Sequence, residues 1–210
     1  ILRALVTSLA YAGRPTEAID AADRAVAAGR DADRPIDAAR AVVALMHPLA
    51  LLGRIDEALA RGDAAREELL RLGQPKLAAR ADINLANLRK ASGDAEGARR
   101  HLERARIALA DEPVMVAHLD NALGEARWLC DDLDGSRTAF LAALEHFRGA
   151  GDRFATAMVE GNLADLAARE GRLQDALARF ASARAALDRD DAPAQKARIA
   201  AEEAEVLALL

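Results

Sequence analysis

Residues 84–105, NLANLRKASGDAEGARRHLERA, decide the fold. Leu85 and Leu88 stand three apart, a Ser-Gly-Asp break follows at 92–94, and Ala98, Leu102 and Ala105 then recur at four- and three-residue steps. Such steps mark one face of an amphipathic helix, and a glycine between two such runs marks a turn. The stretch reads as the end of one helix, a tight turn at Gly93 and a second helix running back. The pattern repeats along the chain. Leu85 lies eight residues before Gly93, Ala98 five after and Ala105 twelve after. Gly13 has Leu5, Ala18 and Ala25 at those offsets; Gly53 has Leu45, Ala58 and Ala65; Gly171 has Leu163, Ala176 and Ala183. A fifth copy is anchored on Asp131, with Leu123, Ser136 and Ala143. Sixteen residues past the anchor stand Leu69, Leu109, Phe147 and Leu187, with Gly29 the exception. Successive anchors are 40, 40, 38 and 40 residues apart.

Proline supports the same period independently. The first turn of a helix tolerates proline because its N–H would be unsatisfied there anyway. Pro35, Pro75, Pro113 and Pro193 each follow an anchor by 20 to 22 residues, and Pro15 follows Gly13 directly. First helices are expected over about 2–12, 35–52, 75–92, 113–130, 153–170 and 193–210, and second helices over about 15–29, 55–72, 94–110, 133–149 and 172–189. The one short interval, Gly93 to Asp131, is expected to lose two residues from the loop before Pro113. Pro48 lies inside a first helix, where it removes a backbone bond to Ala44.

Composition sets the limits on function. Hydrophobic residues make up 52% of 210, and aromatics only 3%. The net charge is −5, and the lysines are Lys76, Lys90 and Lys196. Nucleic-acid binders carry a basic face, so no nucleic-acid partner is expected. The longest apolar stretch, around 41–52, is broken by His47 and Pro48 and is too short to span a bilayer, so no membrane partner is expected. Cys130 is the single cysteine, so no internal disulfide forms; the expected location is the cytoplasm. The chain begins at Ile1 and ends inside a helical pattern, so a single repeat array over 1–210 within a longer protein is expected.

The Leu, Gly and paired Ala pattern, plainest in 84–105 and in NLADLAAREGRLQDALARFASA at 162–183, resembles the tetratricopeptide (TPR) repeat over essentially the whole chain. The usual repeat is 34 residues; here it is about 40, similar to the long bacterial type found beside CHAT peptidase domains or in large transcriptional regulators. The resemblance implies an all-α fold, a right-handed α-α superhelix (solenoid) of about five and a half helical hairpins. It also implies a groove lined by positions 13, 10, 6, 3 and 2 before each anchor. Carried over, these give Arg40 and His47 in the second hairpin, Arg80, Asn87 and Lys90 in the third, His118, Asn121, Glu125 and Trp128 in the fourth, and Asp165 in the fifth, with Asn84 and Asn162 close by. Asn side chains bond both peptide N–H and C=O, so Asn84 and Asn162 either read a bound backbone or tie neighbouring helices. Trp128 is either a binding anchor or a filler between hairpins. Glu125 and Asp165 stand where a binder of chain-terminal carboxylates would need cations.

No residue set supports chemistry. His47, His101, His118 and His146 lack a second His or Cys at ligand spacing, and no phosphate-binding loop or nucleophile elbow is present. The chain is therefore expected not to be an enzyme, with no cofactor and no metal. The expected function is a protein–protein interaction scaffold or regulatory repeat that holds a peptide segment or a neighbouring domain of the same chain. The alternatives are a small-ligand-sensing helical domain of a regulator, or a structural spacer or oligomerisation module.

Overall fold

A computed structural model describes residues 2–188 and 192–209, leaving out the side chains of residues 2–4 and 7. It contains α1 (Leu2–Tyr11), α2 (Pro15–Asp31), α3 (Pro35–Leu51), α4 (Ile55–Arg71), α5 (Pro75–Ala91), α6 (Ala95–Ala108), α7 (Pro113–Leu129), α8 (Leu133–Ala150), α9 (Arg153–Arg169), α10 (Leu173–Leu187) and α11 (Pro193–Leu207). No strand occurs among the described residues. The helix ends proposed at 189 and 210 fall outside them.

Five helices open on proline in the first turn: α2, α3, α5, α7 and α11. Where proline is missing, a side-chain cap can take over. Asp94, Asp132 and Asp152 accept from the backbone N–H of Gly97, Gly135 and Ala155 at 2.8–2.9 Å, which satisfies an amide otherwise orphaned at the helix start. The turns within hairpins share one geometry. Gly53 N–H bonds the Ala50 carbonyl and Arg54 N–H the Leu49 carbonyl, the paired closure of a left-handed C-terminal cap. Asp131 closes its turn the same way, through its own N–H to Trp128 and that of Asp132 to Arg127. Its φ of 62° matches the 73° at Gly53, as its place among the anchors required.

Two compact units, Ile1–Leu109 and Ala110–Leu210, are each built the same way. Within each, a first helix packs on its own second helix, and that second helix packs on the first helix of the next hairpin. The repeated small residues sit at these seams. Ala58, Ala98, Ser136 and Ala176 are fully buried, as are Ala65, Ala105, Ala143 and Ala183. Leu45, Leu85, Leu123 and Leu163 are buried too, but Leu5 is 48% exposed, because no helix among the described residues covers that side of α1. The exception at Gly29 has a cause: a Cβ there would come within 3.0 Å of the Ala38 backbone nitrogen, so α2 and α3 approach too closely for leucine.

One expectation needs adjustment. The short interval loses its residues from α6, not from the following loop. α6 has 14 residues against 17 in α2 and α4, and the connection at 109–112 is if anything longer than that at 72–74. Leu109 keeps its buried place, so the missing length comes from the last turn, which no core contact needs. α3 continues past Pro48 to Leu51, with Pro48 buried in its last turn. No helix among the described residues is long and apolar enough to cross a membrane.

Candidate functional site

A helix packed on three sides has one strip left for solvent, and the period of 3.6 fixes which residues share it. On α3 the strip holds Arg40, Val43, His47 and Ala50, all exposed or half-buried, between buried Ala39, Ala41, Leu45, Met46 and Pro48. On α5 it holds Arg80, Ile83, Asn87 and Lys90; on α7, His118, Asn121, Glu125 and Trp128; on α9, Met158, Asp165 and Ala168, with Gly161 buried among them.

In the first unit this face is basic and partly aromatic. Arg40 pairs with Asp37 one turn earlier at 3.7 Å. The His47 ring tilts against Tyr11, centroids 6.0 Å apart. Arg80, Asn87 and Lys90 are exposed along α5. Asn84 lies at the edge of the strip, half-buried, and its Nδ2 donates to the Val43 carbonyl at 3.3 Å, tying α5 to α3.

In the second unit the sign reverses. Asn162 Nδ2 on α9 donates to Asn121 Oδ1 on α7 at 3.0 Å, and Asn121 Nδ2 donates to Glu125 Oε1 at 3.3 Å. The two asparagines therefore link first helices. His118 meets the Phe147 ring edge-on at 4.9 Å. Trp128 is half-buried against the cluster of Phe140, Leu144, Phe147 and Leu163, so it both fills a seam and shows an edge on the face.

Asp165 is half-buried and has no hydrogen bond or ion pair among the described residues. Burial and the charges of Glu202 and Glu205, only partly opposed by Arg198, push its carboxyl up to about 6. A carboxyl whose folded pKa exceeds its ordinary 3.8 binds its proton more readily folded than unfolded. Stability is then lost as pH rises from the ordinary value through about 6, and the penalty persists at neutral pH. Asp165→Asn removes it. Allowing for partial exposure, a gain of about 1 kcal/mol is expected at pH 7 and none below pH ~3.5. Urea unfolding at both pH values measures this; an equal change at both would refute it.

Sequence reasoning missed a set of buried carboxylates. Asp82, Asp120 and Glu160 stand eleven residues before their anchors and are 2–3% exposed. Asp82 Oδ1 accepts from Arg66 Nε at 2.6 Å and from His101 Nδ1 at 2.7 Å, with Arg104 at 4.0 Å. His101 Nε2 in turn lies 4.0 Å from Asp63. Glu160 accepts from Arg148, from Arg179 at 3.2 Å and from Ser182 at 3.1 Å. Where Val42 replaces the carboxylate, a cleft of about 320 Å³ opens, lined by Val26, Arg30, Val42, Arg61, Ala64, Ala65 and Glu68. The recurring offset was the available signal. Among the described residues no group of three or more His, Cys, Asp or Glu is placed to hold a metal.

No family model and no curated protein matches the chain. Solved structures do. BtubC from P. vanneervenii matches with a TM-score of 0.76 at 20% identity, over 90% of this chain and 81% of that one. A putative kinesin light chain of Podosopora anserina with nearly identical TPR-like repeats matches at 0.77 and 14%, over 91% and 96%. A Rap protein complexed with competence and sporulation factor matches at 0.74 and 13%, over 98% of this chain and 61% of that one. At these identities the likeness establishes the fold: an all-α, TPR-like helical repeat.

Proposed function

We propose that this TPR-like chain is a protein-interaction scaffold that holds polypeptide segments on the solvent face of its first helices. The observation that carries the proposal is the strip itself. Positions 13, 10, 6 and 3 before the anchors stay open to solvent on α3, α5, α7 and α9, Gly161 excepted, while their neighbours in sequence are buried. The side chains there (Arg80, Asn87, Lys90, His118 and Trp128 among them) are hydrogen-bonding, charged or aromatic types, which supply orientation and anchoring to a bound chain. The Rap protein solved with competence and sporulation factor is a structure of this fold with a bound factor, which supports the same use here. The partner is a peptide or an adjacent domain of the same protein.

A random peptide array probed with the labelled protein tests this. Asn87→Ala in the first unit, or Trp128→Ala in the second, should weaken the strongest interactions of that unit roughly tenfold, a loss of ~1.4 kcal/mol. Spots that keep full intensity with both variants would overturn the proposal.

A further inference from the structure

The cleft walled by α2, α3 and α4 is a repeat site that lacks one of its parts. Its counterpart in the second unit is the pocket of Glu160. There the carboxylate stands eleven residues before its anchor, Arg179 and Ser182 stand eight and eleven after the same anchor, and Arg148 stands seventeen after the preceding one. Arg148, Arg179 and Ser182 all donate to Glu160, which is buried. In the first unit the same offsets from Gly53 and Gly13 give Val42, Arg61, Ala64 and Arg30. Both arginines are kept and the carboxylate is not.

The fold brings these positions together. Val42, Arg61, Ala64 and Arg30 all line the cleft of about 320 Å³, with Val26, Ala65 and Glu68. None of them belongs to the solvent strip of the first helices. Arg179 keeps its Nε on Asp175, four residues back, at 3.3 Å, and gives another N–H to Glu160. Arg61 likewise stays within 3.5 Å of Glu57, four residues back. With no carboxylate at position 42, its other arm turns to Asp23 at 2.5 Å, which is 46% exposed and is not part of the cleft lining. Arg30, the counterpart of Arg148, has a guanidinium with no hydrogen bond or ion pair among the described residues.

We propose that this cleft binds a ligand carboxylate in the place that Glu160 fills within the second unit, held by Arg30 and Arg61, with the ligand's apolar stem on Val26, Val42, Ala64 and Ala65. A guanidinium presents paired donors that match a carboxylate. Val42 and Ala64, standing where Glu160 and Ser182 stand in the other unit, offer no hydrogen bond and suit methylenes. Glu68 on the same lining opposes a second negative charge on the ligand. The ligand class is therefore a monocarboxylate on a short aliphatic stem, either a free acid or the acidic side chain of a bound chain. The inference is independent of the strip and goes beyond the scaffold reading.

NMR of the arginine Nε–H groups, at constant ionic strength, reads the site. Butanoate should move the Arg30 and Arg61 signals saturably; butylammonium, alike in shape and opposite in charge, should not. Arg30→Met should weaken butanoate binding at least ~10-fold. Arg30 is exposed, so this variant tests binding and not folding. Val42→Glu should put the missing carboxylate back. It should abolish butanoate binding and raise the thermal midpoint above that of Val42→Gln, which has the same shape without the charge; a carboxylate buried there without a cation would do the opposite. No saturable shift with butanoate, an equal response to butylammonium, binding unaffected by Arg30→Met, or a Val42→Glu chain no more stable than Val42→Gln each overturns the inference. A capped alanine pentapeptide with one central glutamate separates the two sources. Tighter binding than butanoate assigns the carboxylate to a bound chain, equal or weaker binding assigns it to a free acid, and both outcomes keep the site.

Discussion

Asp82→Ala is expected to lower the unfolding free energy of the first unit by about 3–5 kcal/mol. Asp82 is 2% exposed, and its Oδ1 takes both Arg66 Nε at 2.6 Å and His101 Nδ1 at 2.7 Å. The loss of an attraction is the smaller part of the effect. Removing the carboxylate leaves two cationic or polar groups, His101 itself buried, with their water already stripped away and no acceptor in its place. Asp37→Ala supplies the contrast. Asp37 meets Arg34 at 2.6 Å, but both side chains are well exposed, and such pairs are worth under ~1 kcal/mol. Replacing the whole cluster by apolar groups of similar size (Asp82→Leu, Arg66→Met, His101→Phe) should recover most of the loss, since nothing buried is then left unpaired. Urea unfolding of the parent and these variants measures this. An Asp82→Ala effect no larger than that of Asp37→Ala would show that the cluster is solvated in solution.

Gly124→Ala is expected to destabilise the second unit even though alanine is the better helix former. Propensity alone favours the change by about 1 kcal/mol. Against it, a Cβ at Gly124 would lie 2.4 Å from Cδ1 and Cε1 of Phe140. The Phe140 ring is fully buried and enclosed by Ala117, Ala143, Leu144 and Phe147, so it cannot turn aside without moving α8. Overpacking of this kind costs ~1–3 kcal/mol, a net loss of up to about 2 kcal/mol once the propensity gain is set against it. Gly149→Ala on α8 has nothing within 4 Å of the new Cβ and should be neutral or stabilising by about 0.5 kcal/mol. Thermal unfolding should show a lower midpoint for Gly124→Ala and an unchanged or higher one for Gly149→Ala. A Gly124→Ala midpoint at or above that of the parent would mean that α7 and α8 are not packed as described.

The two changes act on different levels of the same design. Gly124 and the repeated alanines set how closely helices approach. The alanines were legible in the sequence because a small residue that recurs at a fixed offset from a turn marks a seam where a larger one would not fit. The turn at Asp131 was legible for a related reason: the copy around it was complete except for the anchor, and Asp tolerates a left-handed backbone better than most residues. The shortening of α6 was misplaced because a sequence interval fixes total length but not whether a helix or its loop gives it up. The buried carboxylates were hidden by composition. Among 34 acidic residues on an amphipathic pattern, Asp82 looks like one more solvated side chain until Arg66 and His101, far from it in sequence, are seen to converge on it.

The candidate face divides in the same way. Arg40, His47, Arg80, Asn87, Lys90 and His118, carried over from the TPR resemblance, are exposed on their helices. Contacts between helices were not legible. Asn84 and the Asn162–Asn121 pair tie neighbouring first helices, and the sequence alone left that use and peptide reading equally open. Nor did spacing distinguish a carboxylate paired with arginine from Asp165, which makes no hydrogen bond or ion pair among the described residues.

Site-specific photocrosslinking tests the scaffold claim most directly. A benzophenone amino acid is placed at position 87 on α5 or 165 on α9, and, for comparison, at the exposed Glu67 on α4 or Glu145 on α8. With the tightest array peptide bound, the account predicts adducts from 87 or 165 and none from 67 or 145. Adducts confined to the second helices would place the binding surface on the opposite side of the hairpins and contradict it.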